Sequence, residues 1–117
     1  MRPGMADTTD HRTPVVELRV LDALCAPQLP RVRSMTTDML AMRPATFVVD
    51  LDACPLIDAA GIELLLELHR RLRRDGGQLI VRAPTGAVRR LLQIARVDHV
   101  LTVTPATYGV QDWEEPR

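Results

Sequence analysis

Aromatic side chains are almost missing: the 117 residues include one Phe, one Tyr and one Trp. Leu, Val, Ile and Met must therefore fill whatever core the chain builds. Long apolar runs are missing too. No segment approaches the roughly 20 apolar residues of a membrane-spanning helix. The first residues lack the apolar centre of a secretory signal, because Asp7, Asp10, His11 and Arg12 interrupt them. Neither sign of charge is in excess, with 15 basic residues against 15 acidic ones. A neutral total argues against bulk electrostatic capture of nucleic acid or of an anionic membrane. The two cysteines, Cys25 and Cys54, are too few for a disulfide framework and read as small packing groups in a reducing compartment. Together these absences describe a soluble cytoplasmic protein.

Catalytic patterns are equally scarce. No Gly-rich phosphate loop follows a strand, and there is no nucleophile elbow and no Cys/His pair at readable spacing. His69 and His99 stand apart from any Cys or carboxylate cluster at ligand spacing. The expectation is a binding module, with no enzymatic activity, cofactor or metal. Arg70, Arg71, Arg73 and Arg74 close a helical stretch, where cations complement the helix dipole, and read as a solvated face. Ser34, the chain's only serine, reads as a surface residue of the first helix.

What is present is alternation between short apolar runs and amphipathic stretches. Residues 1–14 are polar, carry Pro3 and Gly4, and read as a flexible leader. Val15 to Leu21 sets Val16, Leu18 and Val20 against Glu17 and Arg19, the pattern of a half-buried strand. Leu29, Val32, Thr36, Met39 and Leu40 then share a helical stripe, which starts near Pro30 and is ended by Pro44. Thr46 to Leu51 is a strand expected to be buried on both faces. Asp58 follows as an N-cap. After it come the bare turn Ala59-Ala60-Gly61 and a stripe at Ile62, Leu65, Leu66 and Leu72. Asp75-Gly76-Gly77 stops this helix, and Gln78 to Arg82 is the next strand. Thr85 or Gly86 caps a third helix with Val88, Leu91, Leu92 and Ala95 on one face, and Val100 to Val103 is a last short strand. The order β-α-β-α-β-α-β predicts an α/β domain over residues 15–104, with a mostly parallel sheet of four or five strands and helices packed against it. Residues 105–117 read as a tail with one weak helical turn around Trp113.

Val49-Asp50-Leu51, followed by Ile57-Asp58-Ala59-Ala60-Gly61-Ile62, resembles the D-L…D-S-S-G-L pattern of the STAS domain (sulphate transporter and anti-sigma factor antagonist). Three further stretches resemble that family in the same order. Leu21-Asp22 with Ala26-Pro27 is similar to its G-E-L-D strand end, and Gly76-Gly77-Gln78-Leu79 to its G-G-x-L strand start. Val88 to Val97 is similar to the helix that ends in L-x-x-x-G-[LV]. Arg19 and Ala95-Arg96 stand where the family often has glycine.

The resemblance implies a STAS fold and an anti-sigma factor antagonist, whose partner is an anti-sigma factor of the serine-kinase type with a histidine-kinase-like ATPase fold. It implies a docking surface made of Asp22, Asp58, Ala59, Ala60, Gly61 and Ile62. Asp58 reads first as a helix cap and second as a partner-binding carboxylate, and Asp22 equally as a helix-entry residue or as part of the same surface. In switching members the residue after this aspartate is a serine or threonine that the kinase phosphorylates; Ala59 has no hydroxyl, so the implied protein does not switch. Two other readings stand beside it: a cytoplasmic STAS subunit of a lipid-transport ABC complex, and a non-switching signalling scaffold. Self-association is compatible with all three. Cys25 and Cys54 flank the docking residues and are candidate redox groups.

Overall fold

Alternating burial decides how the first strand sits. In the computed structural model, which describes residues 12–105, Val16, Leu18 and Val20 are buried while Val15, Glu17 and Arg19 are exposed. Residues 1–11 of the flexible leader expected over 1–14, and the helical turn expected around Trp113, lie outside the described residues. The strand itself, β1, spans Thr13–Arg19, two residues ahead of the expected start. A 3₁₀ turn at Ala26–Gln28 leads into helix α1, Leu29–Leu40, with Pro30 in its first turn. Then follow β2 (Pro44–Asp50), α2 (Ala59–Arg74), β3 (Gln78–Arg82), α3 (Gly86–Ile94) and β4 (Thr102–Thr104).

The sheet has four strands in the order β1-β2-β3-β4, and every pairing is parallel. Each crossover therefore moves one strand in the same direction, and right-handed crossovers of that kind place all three helices on one face. Burial agrees. Leu18, Phe47, Val49, Leu79 and Val81 join Leu64, Leu65, Leu68, Leu72, Val88 and Leu92 in a single apolar cluster. Phe47, the one phenylalanine, is wholly buried at its centre.

The opposite face of the sheet is lined with charge. Arg19, Asp50 and Arg82 are lateral partners on β1, β2 and β3. Arg82 Nη2 donates to Asp50 Oδ2 at 2.9 Å and also pairs with Glu17, while Arg19 pairs with Asp52 at 3.1 Å. Val48 is buried on this side but lies outside the helix-side cluster. So β2 is covered on both faces as expected, by helices on one and by long charged side chains on the other. Burial alone would raise the Asp50 carboxyl. The hydrogen bond from Arg82, the Asp52 N–H and the charges of Arg82 and Arg19 outweigh it and hold the group below its usual value.

Two expected stripes shift. In α2 the buried positions are Gly61, Leu64, Leu65, Leu68 and Leu72, while Ile62 and Leu66 sit half-buried at the margin. In α3 Ala95 is the exposed C-cap, not a core position. Where the STAS family often has glycine, Arg96 adopts φ 62°, the left-handed conformation in which glycine is free and other residues are strained.

One-sided layering predicts unequal costs on the two faces. Phe47→Ala should lower stability by about 3–5 kcal/mol, whereas Val15→Ala, at a side chain 58% exposed, should stay within about 0.5 kcal/mol. Thermal and urea unfolding of both variants checks this.

Candidate functional site

Parallel strands bring the starts of all three helices to one edge of the sheet, at the carboxyl ends of the strands. The loops there are tied to one another. Leu24, between β1 and α1, and Ile57, between β2 and α2, form an isolated parallel bridge. Leu24 N–H donates to the Leu56 carbonyl at 2.9 Å, and Asp58 N–H to the Leu24 carbonyl at 3.4 Å. The Thr85 hydroxyl, which caps α3, donates to the Cys54 carbonyl at 3.3 Å and joins the third loop to the second.

Asp58 is the N-cap of α2, with an extended backbone. Its Oδ1 accepts from Gly61 N–H and its Oδ2 from Ala26 N–H, both at 2.9 Å. One carboxylate thus caps α2 and holds the turn that opens α1. The bonds from Ala26 and then Gly61 hold this carboxyl below the usual carboxylate range. Gly61 is required by close approach: a Cβ there would fall on the Leu24 carbonyl and lie 2.8 Å from Ile57 Cγ1. The glycine therefore lets the first loop lie directly against the helix.

Among the expected site residues, Ala59 is exposed, Ala60, Ile62 and Asp58 are half-buried, and Gly61 is buried beneath them. Asp22 is exposed, and its Oδ1 accepts the N–H of Ala23 at 2.7 Å. The Asp22 and Asp58 charges both act on the Cys25 thiol, so the fold brings the two carboxylates to the same end.

Cys25 and Cys54 come together as well. Their Sγ atoms lie 3.9 and 3.4 Å from the same Leu56 carbonyl. Burial pushes both thiols above their ordinary range; for Cys25 the Asp58 carboxylate adds to this. Both are therefore held as thiols, the less reactive form. Among the described residues no group of three or more His, Cys, Asp or Glu side chains is placed to hold a metal ion.

Two residues of this end escaped the sequence reading. Leu21 is 71% exposed and Leu56 is 50% exposed, beside the helix start. A signal existed for Leu21: it falls on the polar phase of the Val16-Leu18-Val20 alternation, so an apolar side chain there must face outward. Leu56 follows Pro55 in a loop, where no periodicity applies.

Compared with models of known protein families, the chain matches the one described as STAS domain over residues 8–108. No curated protein matches it.

Two outcomes follow from the tied loops. Gly61→Ala should cost roughly 1–3 kcal/mol or more, because the methyl group displaces backbone. Gly86→Ala, with open space around it, should leave stability unchanged or slightly raised. Paired denaturation curves separate the two. The second outcome concerns pH. Asp50 and Asp58 have folded-state pKa values below their unfolded ones. Their contribution is complete above the unfolded carboxylate range near about 3.9 and is lost as pH falls through the folded values. Melting temperature should be flat from about pH 7 to 5 and fall below about pH 4. Asp58→Asn should be less stable than the parent at neutral pH and lose less on acidification.

Proposed function

The chain belongs to the STAS domain family, and from that premise we propose that it acts by protein–protein contact as an antagonist of an anti-sigma factor. The partner is an anti-sigma factor of the serine-kinase type, and the contact is made by the start of α2. One observation carries this reading: the exposed Ala59 methyl stands at the helix start capped by Asp58, three residues after the exposed Leu56. Exposed apolar side chains on loops held by backbone hydrogen bonds suit a preformed docking surface, because little conformational entropy is lost on binding. On this reading the protein is a binding module rather than an enzyme.

Ala59 gives the surface its regulatory character. A phosphate at this helix start would be tolerated by the dipole yet would add nearly two negative charges to the contact. Alanine offers no acceptor, so the protein remains in the binding-competent state. Kinase and ATP should leave the helix start unmodified.

Ala59→Asp mimics the added charge. It should fold normally, since an acid in the first helical turn is favoured by the dipole. It should weaken binding at least about 30-fold, the ~2 kcal/mol that an uncompensated charge costs in a contact. Calorimetry of wild type and Ala59→Asp against candidate anti-sigma kinases is the test. Equal affinities for a kinase that binds would remove the helix start from the interface.

A further inference from the structure

A concavity lies between the end of β1 and α1, lined in part by Asp22, which is also one of the expected docking residues. It encloses about 330 Å³, and Leu18, Val20, Val32 and Met35 give it an apolar floor. Pockets for small ligands run from roughly 300 to 1,000 Å³, so this one suits a molecule of about ten non-hydrogen atoms.

Its polar rim carries both signs of charge. Arg31, on α1, makes no ion pair among the described residues. Asp22 faces the same cavity, and while its Oδ1 takes the Ala23 N–H, its Oδ2 accepts no hydrogen bond among the described residues.

We propose that this cavity binds an apolar α-amino acid, with its side chain on the Leu18–Val20–Val32–Met35 floor, its carboxylate on Arg31 and its ammonium on Asp22. The alternatives fit less well. A neutral apolar molecule would cover Arg31 and Asp22 without satisfying either. Arg19 also lines the cavity but is already paired with Asp52, so a phosphate or dicarboxylate would bring its second negative charge against Asp22. A guanidinium matches one carboxylate, and an acid at the same mouth matches one ammonium. The inference does not depend on the anti-sigma reading: the cavity is formed by β1 and α1, and the test below needs no partner protein.

The test is an NMR titration of the full chain with L-leucine, run against leucinamide, which lacks the carboxylate, and 4-methylpentanoate, which lacks the ammonium. L-Leucine should shift the resonances of Val20, Leu21, Val32 and Met35 saturably, with a Kd below about 1 mM. Each analogue should bind about tenfold or more weakly, the loss expected when one charge-assisted contact is removed. Arg31→Gln, a substitution at an exposed side chain, should weaken L-leucine about tenfold and leave leucinamide unchanged. Absence of a saturable shift up to about 10 mM would overturn the proposal. So would 4-methylpentanoate binding as tightly as L-leucine, or an Arg31→Gln variant that binds L-leucine as the parent does.

Discussion

The arrangement of this domain hangs on one carboxylate. Asp58 accepts from Gly61 on one side and from Ala26 on the other, so the cap of α2 is also the clasp that holds the entry to α1. The clasp requires the first loop to lie against the helix, and that closeness requires glycine at position 61. Sequence, local structure and packing are coupled there. A residue with any side chain at 61, or no acceptor at 58, would let the two loops part. The exposed Leu56 and Ala59 would then lose their fixed geometry.

The two faces of the sheet illustrate different ways of burying a central strand. On the helix side, Phe47 and Val49 are covered by aliphatic side chains from α1, α2 and α3, and the stabilisation is that of apolar area removed from water. On the other side, Asp50 is covered by Arg82, which Glu17 also engages. A carboxylate in such a place persists because its hydrogen bonds are made; removing Arg82 would leave it desolvated and unpaired. The same paired carboxylate fixes the loop that follows, through the bond from Asp52 N–H to Asp50 Oδ1 at 3.0 Å. The charged face and the edge at the start of α2 are thus mechanically continuous through residues 50–58.

Much of this was legible in the chain. The β1 alternation, the Asp58 and Thr85 caps and the Asp75-Gly76-Gly77 stop each have a local cause, and local causes can be read from local sequence. In the α2 stripe Leu65 and Leu72 are buried as read, whereas Ile62 and Leu66 lie on the margin and Leu64 and Leu68 take their place, because only the neighbouring helices decide which flank is covered. The second role of Asp58, the approach of Leu24 to Gly61 and the meeting of Cys25 and Cys54 at the Leu56 carbonyl join residues about 30 or more positions apart. Spacing carries no trace of such contacts. Arg96 is the converse case: the departure from the family's glycine was visible, and the fold shows the positive φ that makes it costly.

The central claim is that the docking edge is preformed, held by bonds between loops rather than assembled on binding. Native-state hydrogen exchange of the Leu24, Ala26 and Asp58 amides tests it most directly. These N–H groups donate to the Leu56 carbonyl, the Asp58 carboxylate and the Leu24 carbonyl respectively. The account predicts that they exchange only with global unfolding, with opening free energies within about 1 kcal/mol of those of Val49 and Val81 in the sheet. Exchange several kcal/mol easier than the sheet, at the rate of free loop amides, would show that the loops open independently and would contradict it.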